Sequence, residues 1–230
     1  MPFDEAAAHE LRARGETPTA LHNNCSGKHA GMLLLARHLG ESIENYLDPS
    51  HPIQLRIRAA LAAFANVNEE AIGISIDGCS APVFALSLAE IALSYARLIA
   101  GEIELLLRTA ANHIVGAFIN HPELIGGTKG RLDTDLMRIA RGALISKVGA
   151  EGVQLLGVLP CPRYPRGLGV AIKIADGDVR RARDPVVIET LHQLGVLDEV
   201  QLASLRDYAR AAIYNHRRIE VGEVRTCFQF

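Results

Sequence analysis

The sequence has no excess of charge of either sign: 24 lysines and arginines against 26 acidic residues leave a formal net charge of −2 over 230 residues. Such a chain has no general field with which to hold nucleic acid or an anionic membrane, so a small, weakly charged ligand is the expected partner. Long apolar runs are also missing. The most apolar stretch, Phe84 to Ala100, is interrupted by Glu90 and Arg97 and falls short of the ~20 residues that cross a bilayer, which predicts no membrane span. The start, Met1-Pro2-Phe3-Asp4-Glu5, lacks a basic region followed by an apolar core, so no secretory leader is expected and a cytoplasmic location is the default. Cysteine is scarce. Cys25, Cys79, Cys161 and Cys227 are too few for a disulfide framework in a chain of this length, and a reducing compartment keeps them as thiols. No internal repeat or low-complexity tract is visible.

What is present is enough apolar residue, 49% of the chain, to bury a core as one domain over residues 1–230 with no evident internal boundary. Helical periodicity runs from Glu5 to Arg14, Lys28 to Leu39, Ile53 to Phe64, Phe84 to Leu98, Ile103 to Ile119 and Thr134 to Arg141. Short β-rich runs follow at Ala71 to Ile76, Leu144 to Val148, Val153 to Leu159 and Gly167 to Ile174, with a helical tail from Pro185 onward. Short glycine-containing turns such as Gly149-Ala150-Glu151-Gly152 predict adjacent antiparallel strands. The fold class expected is α+β: a helical region, a small antiparallel sheet, and a final helix packed on it. Pro160-Cys161-Pro162-Arg163-Tyr164-Pro165 reads as a loop between two strands.

Glycine-containing loops cluster at Asn24 to Gly27, Asp77 to Pro82 and Gly126 to Gly130, and polar residues on such loops are better placed for chemistry than those on apolar helices. The segment His22-Asn23-Asn24-Cys25-Ser26-Gly27-Lys28-His29 enters a helix, so Cys25 sits near a positive helix end where a thiolate is favoured. Lys28, three positions on, shares a face with Cys25; its ammonium would depress the thiol pKa, or its neutral amine would add a nitrogen ligand. The second loop, Asp77-Gly78-Cys79-Ser80-Ala81-Pro82, offers another cysteine. Two thiolates and one nitrogen can hold zinc with an open position for water. The competing reading of Cys25 is a small buried hydrophobe, and spacing alone leaves both open.

Taken together with Ile125-Gly126-Gly127, Gly130-Arg131-Leu132-Asp133-Thr134-Asp135, Ser146-Lys147-Val148-Gly149-Ala150-Glu151-Gly152-Val153, Gly169-Val170-Ala171-Ile172-Lys173-Ile174 and Asp176-Gly177, the two cysteine segments resemble, in order and spacing, the asparaginase II family of rhizobial, zinc-binding type. The resemblance runs from about Glu5 to the Pro185 helix. It implies part of a serine β-lactamase-like or glutaminase-like fold, and an L-asparagine amidohydrolase releasing L-aspartate and ammonia. Zinc would be held by Cys25, Lys28 and Cys79, and the lysine would have to lose its proton, far below its usual pKa of about 10.4. Asp77 and His29 become pocket residues for the amino-acid head group or the metal-bound water; their plain alternatives are a turn cap and a solvated helical histidine. Arg131 is implied as a bidentate carboxylate binder and Asp133 as a helix cap. Lys147 resembles the strand lysine of serine β-lactamase-like enzymes and is the proton-transfer candidate. Cys161, Cys227, His113 and His121 carry no motif and read as structural.

The family also has an N-terminal portion carrying a Ser-x-x-Lys nucleophile segment, and no Ser-x-x-Lys occurs in this sequence. The chain is therefore expected to be N-terminally incomplete relative to the family. Ser26, Ser80, a thiolate or a zinc-bound hydroxide would have to replace that nucleophile. The rival expectations are an impaired or inactive homologue that keeps the metal site as a binding module or subunit, and a thiol-dependent redox or sensor protein built on Cys25. A sheet edge or cleft left open by the absent portion would favour pairing of two copies, so a homodimer is the expected assembly.

Overall fold

Local capping chemistry sets where the first helices begin and end in the computed structural model, which describes Pro2 and residues 4–230. Asp4 accepts the Ala7 backbone N–H at 2.8 Å and starts helix α1 (Glu5–Ala13). Helix α2 (Ser26–Leu39) stops at Gly40, whose φ of 73° is a left-handed closure that glycine adopts without strain. Helix α3 spans Pro52–Ala65, and a tight hairpin joins strand β1 (Gly73–Ile76) to β2 (Pro82–Ala85), with Ile76 opposite Pro82.

The backbone groups into two compact units. The first comprises the chain up to Ala62 with Asn68–Ala85, and the second Ala63–Val67 with Leu86–Phe230. In the first, Met32 and Ala36 of α2 pack on Ile53 of α3 and on Ala81 of the hairpin. Buried Gln54 is satisfied there by the Tyr46 carbonyl at 2.7 Å.

In the second unit, helices α4 (Leu88–Ala100), α5 (Leu105–Asn120), α6 (Pro122–Gly126) and α7 (Leu132–Ile139) precede strands β3 (Leu144–Val148), β4 (Val153–Val158) and β5 (Leu168–Lys173). The strands form an antiparallel sheet in the order β3-β4-β5, as the short turns predict. Helix α8 (Asp184–Gln193) follows a single π-turn and sends Val187, Ile188 and Leu191 into a core shared with Leu136, Leu144, Ile145 and Leu156. Gly169 permits the closest approach in this unit: a Cβ there would lie 1.8 Å from the Ala92 carbonyl oxygen, so α4 rests directly on β5. The architecture is α+β.

Two expectations need correction. The run Phe84 to Leu98 is not one helix: Phe84 lies in β2, and α4 begins only after Ser87. There a capping box closes, with Ser87 Oγ accepting the Glu90 N–H and the Glu90 carboxylate accepting the Ser87 N–H at 2.6 Å. Apolar residues continue across both elements, which hides the break. The tail from Pro185 is only partly helical. After α8 and the short helices α9 (Glu199–Ser204) and α10 (Arg206–Ala209), it ends in a hairpin of β6 (Ala211–Tyr214) and β7 (Glu220–Val224), tied by Arg210 to Glu220 and Glu223. Among the described residues no helix is long and apolar enough to cross a membrane.

Candidate active site

Two turns of the first unit, each built around a carbonyl-bearing side chain, present the sulfurs. In the first, Asn23 Oδ1 accepts the Cys25 N–H at 2.7 Å and the Asn23 carbonyl accepts the Ser26 N–H at 3.0 Å. This turn delivers Cys25 to the N-cap of α2, so that Cys25 and Lys28 fall on one face of its first turn. In the second, Asp77 Oδ1 accepts the N–H groups of Cys79 (2.8 Å) and Ala81 (3.0 Å), winding the hairpin loop around one carboxylate oxygen. Ser80 takes the left-handed corner of that loop at φ 66°, unusual for a residue with a side chain.

The other Asp77 oxygen, Oδ2, receives the Lys28 ammonium at 2.5 Å, across 49 residues of chain. Cys79 Sγ lies 3.9 Å from Asn23 Oδ1, the same oxygen that accepts the Cys25 N–H. Both cysteines are free thiols and half-buried. The electrostatics follow from this crowding. Burial pulls the Lys28 pKa down, but the Asp77 hydrogen bond and charge, joined by the two sulfurs, outweigh it and leave the ammonium favoured. Burial opposes ionisation of Asp77, yet the Lys28 hydrogen bond and the two loop N–H groups hold its carboxyl below the usual range. The Cys79 thiol is pushed up, first by its hydrogen bond with Cys25, then by burial and the neighbouring negative charge, with Lys28 pulling the other way.

His29, on the next position of α2, is anchored by Tyr46: Nδ1 lies 2.7 Å from the phenol oxygen, with the rings edge to face at 5.9 Å. Ser26 and Ser80 both belong to the two turns, and among the described residues neither hydroxyl is hydrogen-bonded to a side chain that could serve as its base. Among the described residues no three His, Cys, Asp or Glu side chains converge as metal ligands; the donors that these two turns offer are two thiols and an amine. That mixture of sulfur and nitrogen suits zinc and not calcium or magnesium, which take oxygen. Lys28 fits it only after giving up the proton it now shares with Asp77.

Arg131 and Lys147 lie in the second unit. Arg131 is the N-cap residue of α7, and its Nε donates to the Gly126 carbonyl at 2.7 Å. Lys147, in β3, bends back so that Nζ donates to the Val148 carbonyl at 2.5 Å. Asp133 is not the cap of α7. It is the second residue of the helix, 3% exposed, and its carboxylate accepts from Ser146 Oγ (2.6 Å), Gln154 Nε2 (2.7 Å) and the Val148 N–H (2.9 Å). Those three donors outcompete the helix's own N–H groups because the sheet face there is buried and offers no water.

Sequence reasoning missed Asn23, Tyr46, Ser146 and Gln154. Asn23 had a local signal, an amide side chain two residues before Cys25, the spacing of an Asx turn. Tyr46 and Gln154 had none, since their partners lie 17 and 21 residues away.

A family model described as L-asparaginase II matches residues 1–226 of the chain. A search of curated proteins finds no match.

Proposed function

The chain belongs to the L-asparaginase II family, and from that premise we propose that it hydrolyses the side-chain amide of L-asparagine to L-aspartate and ammonia, with zinc held by Cys25, Lys28 and Cys79. Family membership supports an asparaginase-like amidohydrolase in general terms; substrate, metal and roles are our reading. The observation that carries it is that the turn and helix start bearing Cys25 and Lys28 meet the loop bearing Asp77 and Cys79, through contacts spanning 49 and 56 residues of chain.

When bound, zinc supplies a positive charge that lowers the pKa of the thiols and amine around it and polarises a neighbouring oxygen. To serve as a ligand Lys28 would give up its proton to solvent, and Asp77 Oδ2 could then accept a hydrogen bond from water or from the substrate α-ammonium. His29, with its ring fixed by Tyr46, orients the same groups. In the second unit, Arg131 carries a guanidinium fork suited to a carboxylate. Lys147, also of the second unit, is an amine suited to proton transfer in amide hydrolysis. The nucleophilic oxygen comes from Ser26, Ser80 or water.

The experiment is ammonia release from L-asparagine and L-glutamine by the purified chain, as isolated, after chelation, and after zinc is restored, with metal content measured alongside. Release that disappears with chelator and returns with zinc supports the reading; a zinc-loaded chain that releases no ammonia from either amide overturns it. A second reading, a binding module that keeps the metal and lacks turnover, is favoured because among the described residues no side chain that could serve as a base is hydrogen-bonded to Ser26 or Ser80. It expects stoichiometric zinc with no ammonia.

A further inference from the structure

Strand β3 lies at the edge of its sheet, so the N–H groups on its outer side have no strand to bond to. One of them, on Val148, is taken by Asp133 Oδ2 at 2.9 Å. The same carboxylate takes the Ser146 hydroxyl at 2.6 Å through Oδ1. Asp133 thereby grips the residues on both sides of Lys147. Gln154 of β4 closes the arrangement, donating through Nε2 to Asp133 Oδ1 at 2.7 Å and to Ser146 Oγ at 2.9 Å. Ser146 and Gln154 are fully buried. Side chains alternate along a strand, so with Ser146 pinned to the Asp133 side, Lys147 is turned to the opposite face.

We infer that Asp133 is the positioning residue for Lys147: its carboxylate fixes the peptide on either side of that lysine and so sets the direction in which the amine projects. This rests on the proposed role of Lys147 in amide hydrolysis. A free edge strand can slip, bulge or fray, and each of these changes the aim of its side chains. A carboxylate that bonds one backbone N–H and one side chain two residues apart forbids all three. Gln154 Oε1 is buried without a donor, so the amide group is held in its present orientation by the carboxylate and not by its own best pairing. An amide at position 133 would let Gln154 turn over and pair through Oε1, keeping Ser146 and Val148 bonded in a neutral form of the same clamp.

The test is a double-mutant cycle on the full chain. Asp133→Ala should lower kcat about 30-fold with KM changed less than about 3-fold, the split expected when a group acting only in the transition state is misaimed. Asp133→Asn should return kcat to within about 3-fold of the parent. In a Lys147→Met background Asp133→Ala should cost nothing further, since a positioning residue has no effect once its charge is gone. Equal losses in both backgrounds, or parent-like kcat in folded Asp133→Ala, overturn the inference. If Asp133→Ala does not fold, Ser146→Ala enters the same cycle with the same expectation at smaller size.

A second readout needs no turnover. The chain has four lysines, Lys28, Lys129, Lys147 and Lys173, so reductive 13C-methylation gives a simple NMR spectrum in which the Lys147 signal is assigned by its loss in Lys147→Met. Asp133→Ala should move that signal and leave Lys28 and Lys173 in place, and Asp133→Asn should restore it. A Lys147 signal indifferent to Asp133 overturns the inference. Should the parent release no ammonia, the hydrolase reading fails while this signal still decides the positioning role.

Discussion

Two aspartates, Asp77 in the first unit and Asp133 in the second, have the same side chain and opposite circumstances. Asp77 is half-buried and shares its second oxygen with a lysine that is 42% exposed. Asp133 is 3% exposed and spends its oxygens on three neutral donors. A carboxylate facing a cation across an open turn can exchange that partner for a ligand. One sealed among a hydroxyl, an amide and a backbone N–H cannot, and it becomes a structural fixture instead. Accessibility of the partner, more than the residue type, separates chemistry from architecture here.

Cys25→Ala or Cys79→Ala should break the comparison most severely on the exposed side. Loss of a ligand should weaken zinc binding by more than about 100-fold, beyond the range typical of an outer partner, as read by metal content after dialysis; retention of zinc by both variants would remove the metal from the first unit. Next in size is Asp133→Leu. Three donors, two of them buried, lose their acceptor, so urea unfolding should show about 3–5 kcal/mol less stability. A loss below about 1 kcal/mol would mean that water reaches the site.

Asp77→Asn should be far milder. Its Oδ1 equivalent still accepts from Cys79 and Ala81, and the ion pair with Lys28 is screened by solvent, so stability should fall by less than about 1 kcal/mol. The smallest effect is at the cap of α4. Hydrogen bonds from the Ser87 N–H and hydroxyl outweigh burial and hold the Glu90 carboxyl below the usual range. A lowered carboxylate pKa contributes stability above the unfolded value of about 4.3, and loses it as the pH falls through the folded value. The Tm of the parent should therefore drop slightly more than that of Glu90→Gln between about pH 5 and pH 3. Equal drops would mean that this cap is not acting through its charge.

The parts of the fold with strong local rules were readable. Strands β3, β4 and β5 and helices α2, α3 and α5 fall within a few residues of their periodic patterns, because alternation and capping are local. The β2–α4 junction was not, although Ser87 and Glu90 at a three-residue spacing are a helix-start signal inside the apolar run. The terminal hairpin is held by Arg210 reaching Glu220 and Glu223, pairings that no short window contains. The two cysteine loops stood out as glycine-containing loops with thiols, but their meeting is a long-range event, and only the family resemblance anticipated it. Asp133 carried the ordinary signature of a helix start, and its real partners, 13 to 21 residues on, depend on how the sheet packs.

Asp77 also joins two kinds of information in one planar group. One oxygen shapes the loop that carries Cys79, and the other feels whether the Lys28 amine is charged. Any occupant that draws the amine away must tug on the same carboxylate that winds the loop, so the hydrogen-exchange rates of the Cys79 and Ala81 amides become a gauge of what the amine is bound to.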